Sequence, residues 1–239
     1  MPRISLIVLL LTCLFGPRPQ VQGKSDDVYL VYYATYGGKT GHVGLAIDKS
    51  EVRITDCAAC PGGVRYDTVR TGELVYFDLW PARENYSYSF FFGAVEPEYY
   101  RLPSGPTAPP VTVRSLLDRG IPHALNREMD GLARIPTTPT RDLQTVAYLQ
   151  AIVDEARPFD LYDFNCSDFA LTGLERLLGP LAGTDEPVLT RRATTPNRLW
   201  RSVAAHPRVV VVRDPGARAD GSFNAERIFS LPQTNHHEN

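Results

Sequence analysis

Histidine and cysteine are scarce in this chain, and that scarcity narrows the chemistry it can carry. The 239 residues include 5 histidines and 4 cysteines. Cys57-Ala-Ala-Cys60 has no second C-x-x-C to join it and no H-x-x-x-H occurs, so a zinc site is two ligands short. An excess of charge of one sign is also missing. With 25 Lys and Arg against 27 Asp and Glu, the formal net charge of -2 leaves no basic footprint for nucleic acid. The apolar run at residues 4–15 is too short to span a bilayer, and no transmembrane segment is expected in the mature chain. Neither an internal repeat nor a heptad pattern is present, which removes solenoids and coiled coils.

What remains is a globular composition, 43% hydrophobic and 22% charged, in a chain long enough for one domain with a substantial core. The 20 prolines cluster between Pro97 and Pro139 and predict a loop-rich middle. Arg3, the apolar run after it and the small or polar Val21-Gln-Gly23 predict an export signal at residues 1–23, followed by a domain at 24–214 and a polar tail at 215–239. Lipid anchoring through Cys13 is the alternative, disfavoured because Thr12 is large for the position before a lipidated cysteine. Removing the signal removes Cys13 and leaves Cys57, Cys60 and Cys166, an odd count in an exported chain.

Along the chain, residues 28–36 are aromatic and β-branched and predict a strand, with a turn at Gly37-Gly38. In His42-Val-Gly-Leu-Ala-Ile-Asp48 the apolar Val43, Leu45 and Ile47 alternate, placing His42, Gly44 and Ala46 on the opposite face of a second strand. A short third strand at 52–57 and a stronger fourth at 73–80 complete an antiparallel preference, with a break at Pro61-Gly-Gly63. The aromatic stretch 85–100 reads as strand, 113–119 as a short helix, and 121–139 as mostly irregular. Helical spacing then predicts a helix at 140–156, one beginning at Cys166 and one after Thr195-Pro196, and 208–213 predicts a buried strand. The fold class is therefore α+β, an antiparallel sheet packed against helices.

Cys166 stands where a turn becomes a helix. In Leu161-Tyr-Asp-Phe-Asn-Cys-Ser-Asp-Phe169, Asn165 is a plausible N-cap and Asp168 is placed to reach back to it. Phe169, Ala170, Leu174, Leu177 and Leu178 form the apolar stripe, and Gly179-Pro180 supply the stop. A thiol at such a helix start faces unpaired N–H groups and the positive helix end, both of which favour the thiolate. Its base must come from few histidines. His236 and His237 lie in the tail, His206 precedes Pro207, and His123 sits in a loop as the reserve, so His42, flanked by Gly41 and Gly44, is the best candidate. An ordinary hydrogen-bonded strand histidine is the competing reading of that residue.

Gly41-His-Val-Gly-Leu-Ala-Ile47 together with Asn165-Cys-Ser-Asp-Phe169 resembles the circularly permuted papain-like cysteine hydrolases, the clan of NlpC-like peptidases and lecithin retinol acyltransferase. In that group the histidine strand precedes the cysteine helix. The resemblance spans roughly residues 28–178 and implies Cys166 as nucleophile, His42 as general base and a polar third residue on the next strand orienting the imidazole. Asp56 is the natural choice there, with Thr55 as the alternative and a turn or cap aspartate as the bland one. Asn165 and Asp168 are most simply caps; Asn165 could instead help bind an oxyanion beside the Cys166 N–H.

Cys57-Ala-Ala-Cys60 could be a redox dithiol, half a zinc site or a local disulfide. Pro61-Gly-Gly63 argues against the long helix a thioredoxin-like site needs, so in an exported chain the disulfide is expected, which leaves Cys166 unpaired. The resulting expectation is an exported, monomeric cysteine hydrolase without metal or organic cofactor. An amide bond, such as one in a cell-wall peptide, is the first substrate class. A lipid-type acyl ester or acyl transfer is the second, and an inactive peptide- or glycan-binding module the third.

Overall fold

The computed structural model describes residues 26–36, 39–82, 91–119 and 127–223. The expected export signal, Cys13, Gly37-Gly38, His123, His236 and His237 lie outside these residues, as do residues 85–90 of the aromatic stretch, whose end joins a strand beginning at Pro97. The elements in chain order are β1 (Asp26–Tyr33), β2 (His42–Asp56), β3 (Val64–Pro81), β4 (Pro97–Leu102), α1 (Val113–Arg119), β5 (Gly131–Thr137), α2 (Pro139–Glu155), α3 (Cys166–Leu178), β6 (Asp185–Val188), β7 (Arg191–Thr194), α4 (Pro196–Ala204) and β8 (Val210–Arg213). Among the described residues six strands form one antiparallel sheet in the order β4-β3-β2-β1-β5-β8, and β6-β7 is a separate hairpin. The architecture is thus α+β, as the strand and helix patterns imply.

Alternation along the central strands builds two cores. Leu30, Tyr32, Val43, Leu45, Ile47, Phe77 and Leu79 face α2, α3 and α4, with Leu149, Phe169, Leu174 and Trp200 packed against them. Tyr29, Val31, Tyr33, Ala46, Leu74 and Tyr76 face the other way, towards Leu116 of α1 and Met129. Helix α3 can lie close on β2 because Gly173 has no side chain: a Cβ there would meet Leu45 Cδ1 at 2.7 Å.

Several elements differ from the sequence expectation. The second and third predicted strands are one, β2, bent by a bulge between Asp48 and Ser50 where the buried Asp48 pairs with Arg70 and accepts from the Asp27 N–H at 2.7 Å. Beyond the bulge β2 and β3 leave the sheet as a two-stranded ribbon, which exposes Val52, Ile54 and Tyr66. Strand β5, expected to be irregular, is buried between β1 and β8. Its Gly131 start and Pro136 mask a pattern whose partner lies 100 residues earlier in the chain. Strand β8 is an edge strand with exposed valines instead of a buried one.

The expected tail is also partly folded. Residues 216–220 form a 3₁₀ turn, Ala219 and Phe223 are buried, and Arg218 reaches Asp130 at 2.6 Å. Asn197, at the start of α4, ties this strap to the sheet. Its Oδ1 accepts from the Tyr32 hydroxyl at 2.6 Å and the Thr35 N–H at 2.8 Å, and its Nδ2 donates to Gly221 O at 2.6 Å. A buried amide so engaged leaves several unsatisfied groups when truncated. Asn197→Ala is expected to cost about 2–4 kcal/mol in urea unfolding, whereas Arg53→Ala on the exposed ribbon should stay within about 0.5 kcal/mol; equal losses would contradict this account of the strap.

Candidate active site

The start of α3 is built as its sequence foretells. The Asn165 side chain accepts from the Ser167 and Asp168 N–H groups at 2.7 and 3.3 Å, and Asp168 accepts from the Asn165 N–H at 3.0 Å, a reciprocal capping box. The other end of the Asn165 amide donates to Leu161 O at 2.8 Å and Thr194 O at 3.0 Å. That side chain is fully used in holding the turn before α3 and the end of β7, and has no donor left for an oxyanion. Asn165 therefore positions the helix. Among the described residues, the first-turn N–H that none of these bonds takes up is that of Cys166 itself.

His42 opens β2 immediately after Gly41, whose positive φ of 73° and tight approach to Thr35 exclude a side chain. The imidazole is buried; its Nε2 contacts Asp78 Oδ2 at 2.9 Å. Asp78 stands opposite Gly44 in the β2–β3 register, which makes it the diagonal neighbour of His42 across the pair. The Trp80 ring system meets the same imidazole nearly at right angles, with ring centroids 4.8 Å apart. The Cys166 thiol is close enough to this ring to act on its charge. Burial alone would drive the ring towards neutrality, but the charge and hydrogen bond of Asp78, with a smaller contribution from Cys166, overcome it and hold the His42 pKa up at about 9. With Nε2 turned to Asp78, Nδ1 is the nitrogen that can exchange a proton with the thiol.

The structure thus brings Cys166 and His42 together but not Asp56. Asp56 is exposed at the far end of the ribbon, 14 residues from His42 and paired with Val64, and Thr55 beside it is equally remote. Because β2 is longer than its sequence suggests, the strand that follows it and reaches His42 is β3, through Asp78. Asp78 had a signal of its own: a lone carboxylate inside the apolar run Leu74-Val-Tyr-Phe-Asp-Leu-Trp80, where an unpaired charge would be costly. His206 lies just beyond the end of α4 with its Nδ1 accepting from the Arg208 N–H. Cys57 and Cys60 are disulfide-bonded at the ribbon tip, and Cys166 is the free cysteine among the described residues.

Cys166 also lines a partly open pocket with Gly41, Trp80, Phe159, Leu161 and Phe223 among its walls. None of the described lining side chains is charged. Among the described residues no group of three or more His, Cys, Asp or Glu converges as a metal centre would require, and no helix is long and apolar enough to cross a membrane. No family model, curated protein or solved structure matches this chain.

The raised His42 pKa has a sign that can be measured. Because the folded value of about 9 lies above the ordinary 6.5, the proton on His42 stabilises the fold fully below about pH 6.5, and that contribution is lost as pH rises through about 9. In denaturant titrations, wild type should lose its advantage over His42→Gln across this window. A difference that stays constant from acid to alkaline pH would contradict the buried ion pair.

Proposed function

We propose that this chain is an exported cysteine hydrolase with the permuted papain-like arrangement, cleaving an amide-type bond through an acyl-enzyme. The observation that carries the reading is the seating of the Cys166 thiol against an imidazole whose other nitrogen is held by the buried Asp78. The order of histidine strand before cysteine helix, on an antiparallel sheet, supports it as well. The Cys57–Cys60 disulfide supports an oxidising compartment.

In this mechanism the Cys166 Sγ thiolate attacks the carbonyl carbon while the proton it lacks is held on His42 Nδ1. The oxygen that gains the electron pair is met by the Cys166 N–H at the positive end of α3. Collapse of the tetrahedral species breaks the C–N bond as His42 returns the proton to the leaving amine, and a thioester remains. Water then adds to the thioester carbonyl with His42 as base, the C–S bond breaks, and the acid and the thiol are released. Asp78 stays ionised throughout and stabilises the imidazolium.

The uncharged pocket beside Sγ accepts an apolar group on the acyl side of the bond. That observation favours an apolar acyl ester as the alternative substrate, with an alcohol or amine replacing water as acceptor if transfer occurs.

Iodoacetamide applied to the folded, non-reduced protein near neutral pH, with the adduct mapped, tests the nucleophile. Rapid labelling of Cys166 alone is expected, slowed about 100-fold by His42→Ala. Cys166→Ala should abolish turnover across a panel of amide and ester acyl donors. Labelling that requires denaturation would sink the enzymatic assignment and leave a binding module.

A further inference from the structure

We infer that Tyr76 is a positioning residue of this site: its hydroxyl donates to the carboxylate oxygen that holds His42, keeping Asp78 ionised and in one orientation. The inference rests on the Cys–His reading above. Tyr76 and Asp78 are both 0% exposed, and the Tyr76 hydroxyl reaches Asp78 Oδ2 at 2.8 Å, the same oxygen that His42 Nε2 meets at 2.9 Å. Two donors converging from two strands on one oxygen determine which way the carboxyl plane turns. Burial, with the Asp78 charge added, holds the phenol well above its ordinary value of 10, so it remains a donor at every pH at which the site can work.

The fold makes room for this hydroxyl specifically. Tyr76 stands opposite Ala46, with Gly44 two residues away on the same face of β2. A Cβ at Gly44 would lie 2.1 Å from the Tyr76 hydroxyl oxygen and 2.5 Å from its Cζ. Gly44 is therefore the space the phenol occupies. The occupant of the room beside this glycine is thus a side chain of the next strand, Tyr76. The other titratable groups around the pair are His42 from β2, Cys166 from α3, Tyr33 from β1 and, opposite Asp78 on β4, Tyr100.

Removing a donor from a buried carboxylate disfavours its charged form. The site then takes up a proton at a higher pH on the acid side. The alkaline step, in which His42 loses its proton while Asp78 is ionised both before and after, is left in place. A merely structural tyrosine would lower reactivity evenly instead.

The test is the rate of Cys166 alkylation by iodoacetamide from about pH 4 to about pH 10 in wild type, Tyr76→Phe and Gly44→Ala, each checked for folding by thermal melting. The acid limb should move up by about one pH unit in Tyr76→Phe, with roughly tenfold slower labelling on that limb and little change above about pH 9. Gly44→Ala, which displaces the hydroxyl from the other strand, should move the limb the same way and serves if Tyr76→Phe does not fold. An unmoved acid limb in either folded variant overturns the role of Tyr76. Failure of wild type to label in its native state overturns the Cys–His reading instead, so the two failures are distinguishable.

Discussion

The contact between His42 and Asp78 is the constraint around which the rest of this molecule is arranged. A carboxylate with no solvent exposure can keep its charge only if donors replace the water it has lost. Here they come from His42 on one neighbouring strand and from Tyr76 two residues away on its own strand. The β2–β3 register sets both distances, since it places Asp78 opposite Gly44 and Tyr76 opposite Ala46. A shift of one residue would turn Asp78 into the opposite core and leave His42 without its partner. The bulge at Asp48/Ser50 lies outside this segment, so the ribbon can bend without disturbing the pair.

The thiol reaches that pair through a separate set of bonds. The capping box fixes where α3 begins, the Asn165 amide ties the helix start to Leu161 and Thr194, and Gly173 lets the helix settle on Leu45. On the far side the strap from Pro215 to Phe223, held by Asn197 and the Arg218–Asp130 pair, brings an aromatic wall to the pocket. Pieces far apart in the chain thus meet within one pocket, each held by buried polar groups that have partners. Such networks specify one arrangement because their partial loss leaves unsatisfied donors in the interior.

Helix α3 was legible in nearly every detail because its determinants are local. A cap, a returning carboxylate three residues on, an apolar stripe at helical spacing and a glycine stop are all written within 15 residues, Asn165 to Gly179. The His42 strand was legible for the same reason, through alternation. Strand β5 was not, because its glycine and proline read as punctuation and its stability comes from β1 and β8, which are remote in sequence. The composition of residues 215–239 reads as a polar tail, yet Ala219 and Phe223 are buried and Phe223 lines the pocket.

By itself the sequence determined that a cysteine opens a capped helix, that a histidine opens an early strand, and that Cys57 and Cys60 are spaced to close on each other. Those are consequences of neighbours within a few residues. Only the tertiary structure decided that Asp78 and not Asp56 accepts from His42, that the room beside Gly44 belongs to Tyr76, and that Phe223 walls the pocket. Each of these depends on strand length and register, and register is a pairing between segments whose separation in sequence carries no signal of which residues will stand opposite one another.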